Sequence, residues 1–388
     1  MRIVIAPDSF KESLSAMQVA NEIESGFKMV LPDAEFIKIP MADGGEGTVQ
    51  SMVDATQGSI IDLDVTGPLG DSVHAHYGIL GKNDDTNCQA KLNTAIIEMA
   101  SASGLQHVPR SKRDPLFTTS YGTGELISDA LNRGIKHIII GLGGSATKDG
   151  GAGMAQALGI HLLDSKGNAL PVGGGALLKL ANIDLQDAHP LIAQCIFDVA
   201  CDVGNPLCGD TGASAIFGPQ KGATPKMLIA LDTALSHYAD VITQTGIQDR
   251  RDQAGAGAAG GMGLGVMAFL NATLKSGIDI VMETVKLDEK ITGADLVITG
   301  EGRLDSQTLQ GKTPMGVARI ARAQNIPVIA IAGSVSDDAN VLLDHGIDSI
   351  FSITPRAIPL EEALASVQHN LQTCPRNIAA LYAMKLKK

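Results

Sequence analysis

The 388-residue chain contains no Trp, and Phe, Trp and Tyr together make up only 3% of it. That scarcity argues against a stacking platform for single-stranded nucleic acid and against the aromatic belts of a membrane protein. Basic charge is also short: 30 Lys and Arg stand against 42 Asp and Glu, for a formal net charge of −12. Such a balance offers no basic face for non-specific nucleic acid or an anionic membrane, although a few cations focused in a cleft can still bind phosphate. No apolar run approaches the roughly 18 residues of a membrane span. The opening MRIVIAPDSF carries too short an apolar stretch before Pro7 for a signal sequence. Cys88, Cys195, Cys201, Cys208 and Cys374 form no C-x-x-C pair and are odd in number, a poor disulfide framework, so a reduced, cytoplasmic protein is expected. The histidines include no H-E-x-x-H and no partner for a G-x-S-x-G serine, which leaves zinc and serine hydrolase readings without support.

Glycine is what the chain has in excess, with 44 residues. Glycine is used where backbone turns with positive φ or approaches a ligand closely, so many ligand-facing loops are expected. Short β-branched runs that end in Gly/Asp/Ser-rich loops and pass into helical periodicity mark βα units of a parallel sheet. Two such units open the chain, with strands at 2–6 and 35–40, and three close it, with strands at 295–299, 327–332 and 347–354. Between them the pattern changes to alternating runs such as HAHYGIL and TAIIEMA, with hairpin signals at KNDD and DSKGN. The expected fold is α/β: a flavodoxin-like doubly wound parallel sheet of order 2-1-3-4-5, formed by residues 1–65 and 286–388, with a second α/β domain of mixed sheet inserted at 66–285. In such a sheet ligands sit beyond the carboxyl ends of the strands at the switch point, which points to the loops APDSFKES, MADGGEG and GEGRLDSQTLQGKT.

These loops carry the candidate chemistry. GEGRLDSQTLQGKT holds Glu301, Arg303, Asp305 and Lys312; Arg offers a fork for carboxylate or phosphate, Lys a mobile charge, and Asp a Mg²⁺ ligand or base. A solvated surface loop would account for any one of them. The segment ends in GKT, but Ser306 stands where a Walker A loop needs Gly. APDSFKES places Asp8 and Lys11 just past the first strand, where an anion could sit, or where Ser13 or Ser15 merely caps a helix. MADGGEG sets Asp43 and Glu46 among glycines, suited to Mg²⁺ or polyol hydroxyls, or to an ordinary strand-to-helix turn. In the inserted segment, KHIIIGLGGSATKDGGAG is a strand followed by a glycine loop whose amides can cradle phosphate. It fits both the G-x-G-x-x-A dinucleotide fingerprint, with Asp164 about twenty residues on, and the phosphate loop of GHMP kinases. FDVACDVGNPLCGDTGASAIFGPQKGAT is a strand and a long polar loop with Asp198, Asp202, Asn205, Asp210 and Lys221; the two-residue period puts Asp198 and Asp202 on one side, able to meet at one metal or hydroxyl or simply to cap neighbouring turns. AGAGAAGGMGLG follows no strand and reads as closely packed or mobile backbone.

Taken in order, APDSFKESLSA, PMADGGEGT, GLGGSATKDGGAGM, CDVGNPLCGDTGA, FGPQKGA and VITGEGRLDSQTLQGKTPMGVA resemble the successive motifs of the type I glycerate kinases, from residue 6 to 318. Lys148 departs from the Asn of the family's SATNDGG. The resemblance implies ATP and Mg²⁺, D-glycerate as acceptor, 2-phosphoglycerate as product and in-line phosphoryl transfer with no covalent enzyme intermediate. On that basis Arg303 and Lys312 are assigned to the glycerate carboxylate or the transferring phosphoryl, and Lys11 to phosphate. Asp8, Asp43 and Asp198 are candidates for Mg²⁺ ligand or general base, with Asp305 in the same cluster. Gly143, Gly144, Ser145 and Ala146 would supply a phosphate-binding backbone. No nucleic-acid or membrane partner is expected, and a homo-oligomer is left open. Two other readings stand beside this one: an NAD(P)-dependent oxidoreductase of a small hydroxy acid, and a metabolite sensor without turnover.

Overall fold

The computed structural model describes residues 1–81 and 93–386; the turn signal at KNDD and Cys88 lie outside them. In chain order the strands are β1 (Arg2–Pro7), β2 (Glu35–Lys38), β3 (Ser59–Thr66), β4 (Ser72–Ile79), β5 (Thr94–Glu98), β6 (His137–Gly141), β7 (His161–Leu163), β8 (Asn182–Asp184), β9 (Ile196–Ala200), β10 (Thr273–Lys275), β11 (Leu296–Leu304), β12 (Val328–Val335) and β13 (Ser349–Ser352). They belong to two compact units. One comprises Met1–Asp43, Gln50–Gln57 and Ile278–Lys388, the other Gly44–Val49 and Gly58–Gly277.

The first unit is an open parallel sheet in the order β13-β12-β11-β1-β2, which in its own sequence order is 2-1-3-4-5. β1 is apolar from Ile3 to Ala6 and wholly buried there, as a central strand covered on both faces requires. Ser15 starts the helix Ala16–Lys28 with a capping box: its hydroxyl accepts from the Gln18 amide at 3.3 Å and its own amide donates to Gln18 Oε1 at 2.9 Å. Ala16, Val19, Ala20, Ile23 and Phe27 then fall on the buried face at helical spacing. β11 runs five residues further than its apolar core, through Gly300–Leu304, so Glu301 and Arg303 sit on strand and not in loop. Gly300 makes this possible, because a Cβ there would lie 1.9 Å from the Ile331 carbonyl oxygen on β12. The glycines that look like loop punctuation in the sequence thus serve close strand pairing.

The second unit is a six-stranded mixed sheet, β10-β9-β6-β5-β4-β3, antiparallel at β3–β4 and β4–β5 and parallel elsewhere. β7 and β8 form a separate antiparallel ribbon, and the DSKGN turn follows β7, with Asp164 Oδ1 accepting from the Lys166 and Asn168 amides. The glycine-rich segment forms the buried helix Ala258–Phe269, with positive φ at Ala259, Gly260 and Gly261. A Cβ at Gly260 would lie 2.0 Å from the Thr147 carbonyl oxygen, so this backbone is packed directly against the loop after β6. Among the described residues no helix is long and apolar enough to cross a membrane.

Candidate active site

At the carboxyl ends of β1 and β11, adjacent central strands of the first unit, the chain gathers its acidic side chains. Asp8 follows β1, and its amide donates to the Gly300 carbonyl on β11 at 2.8 Å. One carboxylate oxygen accepts from the Ser9 amide at 2.6 Å and the other from the Thr313 hydroxyl at 2.7 Å. Burial, with the charge of Asp43 as second cause, raises the Asp8 carboxyl to about 6. Glu301 accepts from the Thr308 hydroxyl at 2.7 Å and pairs with Lys312 at 3.5 Å. Burial lifts it to about 7, against the lowering effect of Thr308 and Lys312, with Asp8 adding repulsion. Lys312 also stands 4.0 Å from Asp305, and the exposed Arg303 reaches Asp305 at 3.4 Å and the Ser336 hydroxyl at 3.1 Å. Lys11 lies on a turn closed by Phe10 and Leu14, with its amide 3.7 Å from where a Cβ of Gly302 would stand. Asp8, Asp43, Glu301, Asp305 and Lys312 are therefore neighbours in space, with Lys11 beside β11 and Arg303 at the rim.

The second unit presents the glycine loop. Gly143 and Gly144 are exposed, and the amides of Gly143, Gly144 and Ser145 make no hydrogen bond among the described residues. The Ala146 amide is used internally, donating to the Ser103 carbonyl at 2.9 Å. Gly144 takes φ +70°, a conformation that favours glycine. The glycines of MADGGEG pack on it: a Cβ at Gly141 would lie 2.9 Å from the Gly44 carbonyl oxygen, and one at Gly143 3.6 Å from Gly45 Cα. Glu98, at the end of β5, holds that segment by accepting from the Val49 amide at 2.8 Å. Burial raises Glu98, and bonds from Val49, Gly47 and Thr48 oppose the shift. Behind the loop, Asp149 is fully buried and accepts from the Ser120 amide and hydroxyl, both at 2.8 Å.

Asp198 sits inside β9, where Oδ2 takes His137 Nε2 at 3.1 Å and Lys275 Nζ at 3.3 Å. Asp202 accepts from the Gly277 amide at 3.0 Å and the Ser276 hydroxyl at 3.1 Å. Lys148 is buried, donates to the Ala213 carbonyl and lies 5.9 Å from the Phe217 ring; burial lowers it to about 6. Thr308, Thr313, Glu98 and Lys221 are functional candidates that sequence reasoning left out of its site. Thr313, directly after Lys312, and Lys221, within FGPQKGA, carried a local signal; Thr308 and Glu98 carried none. The context that a dinucleotide fingerprint needs is missing, since β7 pairs with β8 and not beside β6, and Asp164 closes a hairpin turn.

Charged side chains gathered at the switch point of an open parallel sheet define a ligand-handling α/β enzyme. Comparison with known proteins makes the class specific: a model described as the glycerate kinase family matches residues 3–383. The chain is 54% identical to the glycerate kinase of Haemophilus influenzae, over 99% of this chain and 100% of that one. It is also 54% identical to the glycerate 2-kinase of Escherichia coli, over 100% and 99%. A crystal structure of a Salmonella typhimurium LT2 protein assigned as glycerate kinase 2 superposes with a TM-score of 0.91 at 53% identity, over 100% of both chains. The chain belongs to the glycerate kinase family and is a phosphotransferase.

Proposed function

We propose that the enzyme transfers the γ-phosphoryl group of ATP to D-glycerate in line, giving 2-phosphoglycerate and ADP. The observation that carries this reading furthest is the Asp8 carboxylate: it is half-buried, poised near neutrality and oriented by Thr313 at the sheet's switch point. A carboxylate with a pKa near 6 is ionised at neutral pH yet basic enough to take a hydroxyl proton as that oxygen attacks. Lys312 pairs with Glu301 in the same cluster, where its charge and that of Arg303 suit a carboxylate or a transferring phosphoryl. Lys11 is the exposed cation for phosphate. The bare amides of Gly143, Gly144 and Ser145 suit the phosphate chain of a nucleotide.

Mg²⁺ fits beside Asp43, which leaves the Asp8 carboxylate to the hydroxyl proton. Asp43 is the neighbouring charge that helps to raise Asp8, and a hard divalent cation would take it. Among the described residues no three His, Cys, Asp or Glu side chains converge as a metal cage, and Mg²⁺ ordinarily takes one or two carboxylates with the substrate's phosphates. Asp43 would hold it next to Asp8, and when bound it neutralises charge on the phosphate oxygens. Asp198 suits a cation poorly, being already occupied by His137 and Lys275. The cytoplasm, where ATP is plentiful and cysteines stay reduced, is the compartment this reading assigns.

The direct test is ADP release with ATP, Mg²⁺ and D-glycerate, alongside thermal shift with Mg·ADP and with NAD(P)H. Glycerate-dependent ADP formation and stabilisation by Mg·ADP are expected. Stabilisation by NAD(P)H alone would overturn the kinase reading in favour of the oxidoreductase. Stabilisation by glycerate and ADP without turnover would favour a sensor.

A further inference from the structure

Lys221 is a buried lysine that the proposed reaction does not use. It ends the short turn Pro219–Lys221 of FGPQKGA, is 2% exposed, and donates from Nζ to Ser145 Oγ at 2.7 Å and to the Thr147 carbonyl at 2.8 Å. Both acceptors belong to the glycine loop. The lysine is fixed from either side: Arg113 Nη1 donates to the Gln220 carbonyl at 3.0 Å, and Gly222, with φ +90°, has room for no Cβ because the Arg113 carbonyl oxygen would be 2.5 Å away. The Thr147 hydroxyl oxygen is buried and makes no hydrogen bond among the described residues.

Three features of this arrangement point to an anion. No carboxylate lies within ion-pair distance of Lys221 among the described residues. Asp149, the acid whose charge it feels, is already engaged by Ser120, Gly151 and Gly153. Burial lowers Lys221 to about 7, so near neutral pH its ammonium is only partly retained, and an anion beside it would hold it charged. When protonated, as an anion on the loop would keep it, Lys221 can only donate, so at Ser145 Oγ it occupies a lone pair and leaves the hydroxyl hydrogen to be directed elsewhere. Gly143 and Gly144, whose amides make no hydrogen bond among the described residues, are exposed residues of the same loop.

We infer that Lys221 is a positioning residue for polyphosphate: it holds the Gly143–Ser145 loop in shape, turns the Ser145 hydroxyl into a donor beside the free amides, and supplies the buried positive charge that an anion on that loop balances. This rests on the nucleotide-kinase reading for the identity of the ligand, but the anion site itself can be tested without turnover.

Inorganic pyrophosphate, ADP and adenosine are the probes, titrated by calorimetry or competition against the wild-type protein, Lys221→Met and Ser145→Ala. Lys221→Met should weaken pyrophosphate and ADP by at least about tenfold, roughly 1.4 kcal/mol, and leave adenosine unchanged. Ser145→Ala, which removes a single oxygen and keeps the lysine, should weaken the same two probes several-fold and serves if the methionine variant does not fold. Raised KM for ATP with the larger part of kcat kept is the expected kinetic signature, since the reacting atoms are not touched. Equal affinity for pyrophosphate in a folded variant, or equal loss for adenosine, overturns the inference and leaves only a packing role. Wild-type protein that binds neither pyrophosphate nor ADP overturns it as well. If pyrophosphate binds in a Lys221-dependent way but D-glycerate elicits no ADP, the functional reading fails and the anion site stands.

Discussion

Replacing Asp8 by Asn should make the metal-free, substrate-free protein more stable at alkaline pH and leave it nearly inactive. Burial, and then the charge of Asp43, raises the Asp8 carboxyl from 3.8 to about 6, so the folded state holds this proton more tightly than the unfolded chain. Between those two values the unfolded chain has lost its proton while the folded one retains it, and stability falls as pH rises. Above about pH 7 the ionised group costs the fold up to about 3 kcal/mol, from roughly two pKa units at about 1.4 kcal/mol each. Asn should fit the site. Its carbonyl can accept from the Ser9 amide, and the Thr313 hydroxyl can rotate to accept from its NH₂. Thermal unfolding in EDTA at pH 8 should therefore shift upward by several degrees for Asp8→Asn, while the two proteins coincide near pH 4. Turnover should drop by about 10²–10⁴, as for loss of a general base. A variant that melts lower at pH 8, or is offset equally at both pH values, would refute the electrostatic account of the site. Wild-type turnover would remove Asp8 from proton transfer.

Thr313→Val deletes the hydroxyl that stabilises ionised Asp8, so the acidic limb of the kcat/KM profile should move upward by roughly one unit; an unmoved limb in a folded variant would assign the base elsewhere. Arg303→Lys keeps the charge but loses the planar fork, and should cost at least about tenfold in turnover, ~1.4 kcal/mol. Its melting temperature should hardly change, because the side chain is 68% exposed, and full activity would exclude Arg303 from substrate contact. Gly143→Ala adds a Cβ whose nearest neighbour is Gly45 Cα at 3.6 Å, an ordinary contact, so the protein should fold normally. The KM for ATP should nonetheless rise about tenfold if phosphate must approach the bare amides, and an unchanged KM would place the nucleotide elsewhere.

The sheet order was legible because each parallel strand carries its own signal: a buried β-branched run, a polar turn and a helix with one apolar face, as in Arg2–Pro7 followed by the Ser15-capped helix. The strand residues Gly300–Leu304 were not, since their glycines and charges look like loop and only the pairing with β12 makes them strand. The same limit applies to the site. Asp8, Asp43, Asp305 and Lys312 could be found from loops that must share one end of a sheet. The hydroxyls of Thr308 and Thr313, which set the state of Glu301 and Asp8, are ordinary residues until the backbone places them. Lys221 lies 76 residues from Ser145, and no periodicity links a lysine in FGPQKGA to a glycine loop that far away. For Asp198 and Asp202 the two-residue period is all that the sequence offers, and only the fold brings His137 and Lys275 to the one and the Gly277 amide to the other.

The central claim concerns what leaves the active site, and ³¹P NMR of the mixture made from ATP, Mg²⁺, D-glycerate and the pure enzyme tests it most directly. The account predicts that the γ-phosphate resonance of ATP declines as those of ADP and 2-phosphoglycerate grow together. A 3-phosphoglycerate resonance in its place would contradict the assigned hydroxyl, and ATP that persists beside unmodified glycerate would contradict the proposed reaction.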